Sequence, residues 1–294
     1  MVALTHVDMA DLERDRPAFV RALGSGLEAL GFVIVTGHDI DATLLDEVYR
    51  SARAVFALPE STKVACERPE IGRQRGYTSF GRERAANQTV ADLKEFWMVG
   101  RESITTPNVF PDEVPAFRTS TVEYFSRCEA VALQLLSALG EFLGMADGDL
   151  AEMAEVGTTC VRVLHYPDVD GAPPVGAVRA AAHEDINFIT LLPASTSPGL
   201  ELLTHEGKWV AVETKPGDLI VDTGDMMRYL TGGRMPATTH RVVNPTANDG
   251  GRLSLPCFVH PRREVILTPP DPTFGPPIAS GDLLDQRLRE NGVL

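Results

Sequence analysis

The stretch Ala182–Val259 contains the motifs around which the rest of the chain is organised. In order along the chain these are His183-Glu184-Asp185, Ile189-Thr190-Leu191-Leu192, Gly224-Asp225, His240-Arg241-Val242 and Arg252-Leu253-Ser254. Several of these segments are rich in β-branched and apolar residues, which is typical of short buried strands. The stretch therefore predicts a β-rich core that carries histidines and acidic residues near the ends of its strands.

Two histidines and one aspartate in this stretch have the composition of a metal site. His183 and Asp185 lie two residues apart, just before the apolar run Ile186–Leu192. If this run is a strand, their side chains leave the same face and Glu184 points the other way. Two imidazoles and one carboxylate form the facial triad of non-haem Fe(II) oxygenases, which leaves other coordination positions open for co-substrate and O₂. We therefore predict that His183, Asp185 and His240 bind Fe(II).

A zinc site is the alternative for the same three residues. Two histidines and an acid also suit catalytic zinc, so a zinc-dependent hydrolase stays open, although the chain has no His-Glu-x-x-His sequence. The remaining histidines have no comparable context, and because isolated histidines are commonly structural we interpret them as such; they are His6, His38, His165, His205 and His260.

The five motifs resemble, in order and approximate spacing, those of the isopenicillin-N-synthase-like family of Fe(II)/2-oxoglutarate-dependent oxygenases. The resemblance extends to Gly31-Phe32-Val33, to Arg73-Gln74-Arg75-Gly76-Tyr77 and to Asp92–Trp97. It implies an oxidoreductase that uses Fe(II), 2-oxoglutarate and O₂ to hydroxylate, desaturate or cyclise a small-molecule substrate, with release of succinate and CO₂. Members that do not use 2-oxoglutarate, such as isopenicillin N synthase itself, keep the Arg-x-Ser pair, so that alternative also stays open.

Three residues are expected to bind the co-substrate. Arg252 and Ser254 are two apart and leave one face of a strand, and a guanidinium fork with a hydroxyl can grip a carboxylate. The resemblance assigns this pair to the distal carboxylate of 2-oxoglutarate. It also matches Tyr166, before Pro167, to a tyrosine that donates a hydrogen bond to co-substrate or substrate. The turn residues 248–251 predict that the segments around His240 and Arg252 form a hairpin or lie side by side.

Three further residues are expected near the substrate. Phe258 shares the strand parity of Arg252 and can face the same pocket. Arg75 and Tyr77 lie in the polar segment Ile71–Ala86, which is a solvated connector or, by the resemblance, a flap at the mouth of the active site.

Sequence periodicity predicts helices around a β core. Helices are expected after Asp15-Arg16-Pro17, after Asp41, over Ser120–Leu143, over Met226–Leu230 with Asp225 as its cap, and over Leu283–Glu290. Strands are expected at Phe32–Val35, Thr159–Leu164, Ile186–Leu192, Leu200–Leu203, Trp209–Val212, Leu219–Asp222, His240–Val243 and Arg252–Val259. This pattern indicates a double-sheet barrel or jelly roll. With the resemblance, the expected fold is mainly β with flanking helices (α+β), a distorted double-stranded β-helix braced by N-terminal helices.

The same patterns divide the chain into four predicted regions. Residues 1–118 form an N-terminal helical dioxygenase region and 119–157 a bracing helix. Residues 158–262 form the Fe(II)/2-oxoglutarate β-helix core, and 263–294 form a C-terminal extension with a helix.

Composition limits the partners and the location. The 294 residues carry a formal net charge of -14, which disfavours nucleic acids and anionic membrane surfaces as partners. An anionic co-substrate therefore needs a local arginine. No apolar run approaches the ~20 residues of a membrane span, and no signal peptide is evident. Cys66, Cys128, Cys160 and Cys257 are scattered, which is typical of free thiols, so we predict a cytoplasmic protein. The small-molecule substrate is what the family resemblance implies. The sequence does not indicate its oligomeric state.

Overall fold

Two main β-sheets, with helices packed against the larger one, and a separate two-stranded sheet make up the described structure. The computed structural model describes residues 4–83, 91–103, 106–146, 148–168, 177–245 and 250–290. The helices are α1 (Asp11–Arg14), α2 (Arg16–Leu30), α3 (Ala42–Phe56), α4 (Glu60–Val64), α5 (Pro115–Leu143), α6 (Asp149–Ala154), α7 (Asp225–Leu230) and α8 (Ser280–Glu290), with a 3₁₀ turn at Pro69–Ile71. The strands are β1 (Thr5–Asp8), β2 (Phe32–Thr36), β3 (Gly76–Thr78), β4 (Glu95–Gly100), β5 (Cys160–Tyr166), β6 (Ala180–His183), β7 (Ile189–Pro193), β8 (Leu200–Leu203), β9 (Trp209–Ala211), β10 (Leu219–Thr223), β11 (His240–Val242), β12 (Arg252–Ser254), β13 (Cys257–Val259), β14 (Ile266–Leu267) and β15 (Ile278–Ala279).

The larger sheet has the order β1-β2-β10-β7-β13-β5-β4-β3, and β12 also pairs with β5. Every described pairing in it is antiparallel except β1 with β2. The smaller sheet has the order β6-β11-β8-β9 and is antiparallel. The chain passes back and forth between the sheets, which is the double-stranded β-helix that the sequence predicts.

Helix α5 joins the helical layer to the larger sheet. It contacts α2 and α3 on one side and β4, β5, β7 and β13 on the other. Its buried residues include Tyr124, whose hydroxyl donates to the Leu255 carbonyl at 2.6 Å. That carbonyl lies between β12 and β13, so the helix holds the point at which this stretch changes direction.

The predicted strand Arg252–Val259 is divided into β12 and β13. The break falls at Leu255-Pro256, where proline has no N–H to donate to a ladder. The predicted hairpin between the segments at His240 and Arg252 is wrong. β11 belongs to the smaller sheet and β12 pairs with β5 in the larger one. Of the turn that was expected to join them, residues 246–249 lie outside the described residues.

Most predicted helices are confirmed, with small changes at their ends. Asp15 and Asp41 accept hydrogen bonds at the N-termini of α2 and α3, from Ala18 N (3.1 Å) and Leu44 N (2.8 Å). Asp225 does not cap α7, because it is the first residue of that helix and Gly224 precedes it without a side-chain bond. The Asp225 carboxylate instead pairs with Arg228 at 2.8 Å.

Other boundaries required tertiary context. The polar segment Ile71–Ala86 contains the buried strand β3, and its residues 84–86 lie outside the described residues. Strand β4 and the alanine-rich β6 were not predicted. All four cysteines are free and buried.

Gly31 ends α2 and packs against the segment that leads into β11. Its φ of 70° is left-handed and its N–H donates to the Leu27 carbonyl at 2.7 Å. A Cβ added at Gly31 would lie 2.7 Å from the Pro236 carbonyl oxygen and 2.7 Å from Thr238 Oγ1. Both conformation and space therefore require glycine here.

Replacing Gly31 by alanine should lower the free energy of unfolding by about 2–5 kcal/mol, measured by urea denaturation. The left-handed conformation costs about 1–2 kcal/mol and the forced contacts about 1–3 kcal/mol. Gly207→Ala is the matched control, because Gly207 has a φ of 76° with open space around it. It should lose only the conformational part, and equal losses in the two variants would contradict the packing argument.

Candidate metal centre

His183 and His240 stand directly opposite each other on neighbouring strands. His183 is the last residue of β6 and His240 the first of β11, and the antiparallel register pairs them. Their ring centroids lie 4.4 Å apart. The ladder becomes irregular immediately after this pair, between His240 and Val242. Such irregularities often re-aim side chains beside functional sites.

Asp185 joins the two imidazoles from a loop rather than from a strand. The strand expected at Ile186–Leu192 begins only at Ile189, so Asp185 lies in the connection between β6 and β7. Its backbone carbonyl accepts from Asp225 N at 2.7 Å, which fixes the loop. Asp185 Oδ1 lies 3.8 Å from His183 Nε2 and 3.9 Å from His240 Nε2. One ligand atom from each of the three residues therefore lies within 4.8 Å of the other two.

Backbone carbonyls orient both imidazoles. His183 Nδ1 is 2.7 Å from the Ala181 carbonyl oxygen, and His240 Nδ1 is 3.1 Å from that of Thr238. A carbonyl only accepts, so each Nδ1 carries the proton and each Nε2 presents its lone pair to the shared point. Burial, with a contribution from His240, lowers the pKa of His183 to about 4, so this imidazole is neutral at pH 7.

The Asp185 carboxylate is held by a short hydrogen-bond chain. Thr190 Oγ1 donates to Asp185 Oδ2, and Asn187 Nδ2 donates to Thr190 Oγ1 at 2.8 Å. This leaves Oδ1 directed between the histidines. Asp222 lies opposite Thr190 in the ladder, and burial together with the Asp185 charge raises its pKa well above the ordinary value.

These donors fit a ferrous ion. Two imidazoles and one carboxylate, without a thiolate, are the ligand set of the 2-His-1-carboxylate iron sites. Such sites also need hydrogen bonds that orient the ligands. Here the Ala181 and Thr238 carbonyls accept from the imidazoles, and Thr190 donates to the carboxylate.

The guanidinium of Arg252 is buried and only partly hydrogen-bonded. Its Nε donates to the Ser197 carbonyl at 3.1 Å and its Nη2 to Ser195 Oγ at 2.9 Å. Among the described residues no group accepts a hydrogen bond from its Nη1. Burial lowers the pKa of Arg252, so the charge lacks full compensation. A carboxylate from a bound molecule would supply the missing partner.

The other two predicted co-substrate residues, Tyr166 and Ser254, lie beside Arg252 in the larger sheet. Tyr166 is its direct partner across the β12–β5 ladder, and the guanidinium carbon lies 5.2 Å from the tyrosine ring centroid. Ser254 is buried two residues further along β12. The structure therefore brings all three side chains to one part of the larger sheet.

A cavity of about 780 Å³ opens beside the metal-ligand cluster. His183 and Asp185 line it, and so do Phe258 and Arg75 from the predicted substrate residues. Tyr77 does not line it. Its side chain is fully buried in the core and its hydroxyl donates to Glu95 Oε2. The predicted substrate contact of Tyr77 is therefore not supported, because its ring packs against Trp97 in the core, with ring centroids 5.6 Å apart.

Several cavity residues were not found from the sequence. His260, interpreted as structural, lines the cavity; its Nδ1 donates to the Phe258 carbonyl at 3.2 Å, and burial lowers its pKa to about 4. A buried ion cluster forms another wall, with Glu83 paired to Lys94 at 2.7 Å and to Arg162 at 3.0 Å. These residues come from separate strands and loops, so no local motif marks them.

The chain matches two family models. Residues 157–261 match the 2OG-Fe(II) oxygenase superfamily, and residues 4–113 match the family described as "non-haem dioxygenase in morphine synthesis N-terminal". A relative named proline hydroxylase buaE, from Petromyces alliaceus, is 30% identical over 279 residues and 88% of each chain is covered.

Solved structures agree with these matches. A 2OG-Fe(II) oxygenase family protein from Caulobacter crescentus superposes with a TM-score of 0.87 and 31% identity over 99% of both chains. A full-length Neurospora crassa protein, solved in complex with alpha-KG, has a TM-score of 0.86 at 24% identity, over 97% of this chain and 95% of that one, and so shows the shared fold.

The chain therefore belongs to the 2OG-Fe(II) oxygenase superfamily. It is an oxidoreductase that uses Fe(II), 2-oxoglutarate and O₂ to oxidise a small molecule, as the sequence predicts. The zinc hydrolase alternative has no support among these relatives. In the described part of the chain, no helix combines the length and apolar character needed to cross a membrane.

Replacing Thr190 by valine should weaken Fe(II) binding about 10- to 100-fold, the usual effect of removing an outer hydrogen bond. The change keeps the side-chain shape but removes the donor to Asp185 Oδ2. Anaerobic equilibrium dialysis measures the dissociation constant. Thr190→Ser keeps the hydroxyl and should bind nearly as tightly as the unchanged protein. If valine and serine variants bind Fe(II) equally well, Thr190 does not position Asp185.

Proposed function

We propose that His183, Asp185 and His240 hold the ferrous ion of this oxygenase, and that Arg252, Ser254 and Tyr166 hold 2-oxoglutarate. The observation that carries the proposal is the convergence of three metal-ligand atoms within 4.8 Å of one another. The unpartnered Nη1 of buried Arg252 supports the second part, because it fits the distal carboxylate of 2-oxoglutarate. The adjoining cavity, lined by Phe258 and Arg75, is the proposed substrate site.

Bound Fe(II), with O₂ and 2-oxoglutarate, supplies the oxidising power for attack on a substrate C–H bond. The chain's own residues prepare the site for it. The Ala181 and Thr238 carbonyls hold the Nδ1 protons of the two histidines, so that neither ligand must reorient or lose a proton at Nε2. Thr190 holds one oxygen of Asp185 and leaves the other free.

The co-substrate and substrate regions have different physical character. Arg252 is only 1% exposed, so its attraction to a carboxylate is weakly screened by water. The chain has a formal net charge of -14, which repels the 2-oxoglutarate dianion, and the local positive charge of Arg252 counters this repulsion. The cavity wall near Phe258 and Ile186 excludes water from the reacting C–H bond, which protects against side reactions. The relative named a proline hydroxylase makes hydroxylation the first reaction to assay.

Substitution of His183 by alanine should abolish stoichiometric iron binding and succinate formation. Iron content after anaerobic reconstitution and succinate release from 2-oxoglutarate are the two measurements. His205→Ala is the matched control, because His205 is exposed and its Nε2 contacts only the Ala29 carbonyl in the described structure. Full iron content in the His183 variant would exclude this residue as a ligand.

Substitution of Arg252 by glutamine should raise the apparent KM for 2-oxoglutarate about 10- to 100-fold, since a hydrogen bond to a charged group contributes about 1.5–3 kcal/mol. Iron binding should persist, which separates this effect from unfolding. Arg241→Gln is the control, because Arg241 pairs with Glu201 at 2.7 Å in the smaller sheet, whereas Arg252 lies in the larger one. An oxidation that proceeds without 2-oxoglutarate in the unchanged protein would point to the isopenicillin N synthase type of reaction instead.

A further inference from the structure

The cationic side chains that line the cavity differ in one respect. Four of them have a carboxylate partner: Lys94 and Arg162 pair with Glu83, Arg101 pairs with Glu129, and Arg263 pairs with Asp285. Arg75 also lines the cavity, but none of the described carboxylates lies within ion-pair distance of it. Its described hydrogen bonds go to backbone carbonyls, from Nη1 to Gln74 at 2.6 Å and from Nη2 to Arg101 at 3.4 Å.

The position of the Arg75 guanidinium is fixed by two glycines. A Cβ added at Gly100 would lie 2.4 Å from Arg75 Nη2 and 2.5 Å from its Cζ, so the guanidinium lies directly on the backbone of β4. Gly76, the next residue, has a φ of 74°, and a Cβ there would lie 2.1 Å from the Cys66 carbonyl oxygen. The arginine is therefore placed by close backbone packing rather than by an ion pair.

Glu102 is the carboxylate whose charge affects the pKa of Arg75, and it already accepts a hydrogen bond from Asn108. Burial lowers the pKa of Arg75, and the smaller contributions of Cys160 and Glu102 oppose this shift. The Glu102 carboxylate accepts from Asn108 Nδ2 at 3.0 Å and lies on the exposed side. A guanidinium that lines a cavity, has no described carboxylate partner and carries a buried Nε without a described acceptor has the chemistry of an anion-binding group.

The sheet register gives the separation between Arg75 and the metal-ligand cluster. Gly100 lies opposite Cys160, Cys160 opposite Phe258, and Phe258 opposite Thr190, the donor to Asp185. These three steps between strands span about 14 Å, at about 4.8 Å per step. A single amino acid spans only about 3.5 Å of backbone. A substrate with its carboxylate at Arg75 therefore needs a chain longer than one residue of backbone to reach the metal-ligand cluster.

We propose that Arg75 binds a carboxylate at the remote end of an elongated substrate, whose oxidised carbon lies on the order of 10 Å away at the metal end. The planar fork of the guanidinium matches a carboxylate in particular. This assignment of a substrate class rests on the proposed function. The proposed site needs the charge of Arg75 and also the space above Gly100 that its guanidinium occupies.

The test uses N-acylglycines from acetylglycine to decanoylglycine, each paired with its neutral glycinamide. Dissociation constants are measured by calorimetry on the metal-free protein and on the anaerobic enzyme loaded with Fe(II) and 2-oxoglutarate. Long acids should bind at least about tenfold more tightly than their amides in both forms, a difference of about 1.4 kcal/mol. Because Arg75 does not contact the metal ligands, the preference in the metal-free form is independent of the proposed iron chemistry.

Variants identify the residue responsible. Arg75→Gln should reduce the ratio of acid to amide affinity to about one, and Arg75→Lys should keep part of it. Gly100→Ala should also reduce the ratio, because the methyl group displaces the guanidinium while the charge remains. Arg82→Gln is the matched control from the same segment, since Arg82 is exposed and does not line the cavity; it should keep the full ratio.

Several outcomes would overturn the inference while leaving the oxygenase assignment intact. These are equal binding of acids and amides, no binding of any acid, or an unchanged ratio in Arg75→Gln. Equal dissociation constants for acetylglycine and decanoylglycine would overturn the proposed length of the substrate. If an Arg75 variant weakens the binding of 2-oxoglutarate and not that of the N-acylglycines, Arg75 belongs to the co-substrate site. Loss of iron and 2-oxoglutarate binding in the unchanged protein would instead count against the proposed function.

Discussion

The antiparallel register that pairs His183 with His240 is the constraint on which the rest of the site depends. It places two imidazoles 4.4 Å apart at the end of the smaller sheet. A shift of one residue would turn one of them to the opposite face, because side chains alternate along a strand. The Asp185 loop, the carbonyls behind each ring and the Thr190 hydroxyl all refine this arrangement and cannot create it alone.

The larger sheet carries the other candidate site residues. Its β12–β5 ladder places Arg252 opposite Tyr166, and three further ladders connect Gly100, Cys160, Phe258 and Thr190 in one row. The buried charges on this sheet fall into two kinds. Some, such as Lys94 with Glu83, have a carboxylate partner and line the cavity, whereas Arg252 and Arg75 have no described carboxylate partner, which is why we propose that they bind anions. Burial makes an unpaired charge costly, so such groups favour binding of an opposite charge.

Sequence patterns predicted the elements with strong local signals. The aspartate caps of α2 and α3 and the β-branched runs of β7 and β10 are examples, because capping and side-chain alternation act over a few residues. The same reasoning missed β6, whose alanines carry little strand preference, and misplaced Asp225 as a helix cap. It also joined β12 and β13 into one strand, although Pro256 interrupts the ladder between them.

The sequence by itself indicated a β-rich core and the candidate ligand types, because two imidazoles and a carboxylate are the set that suits ferrous iron. The resemblance carried by the ordered motifs implied the double-stranded β-helix. Only the tertiary structure decided that Asp185 reaches the histidines from a loop, that Tyr77 is buried against Glu95, and that His260 and Arg162 line the cavity. The reason is that strand pairing brings together residues far apart in the chain. Their contacts depend on register and packing, which no local stretch of sequence encodes.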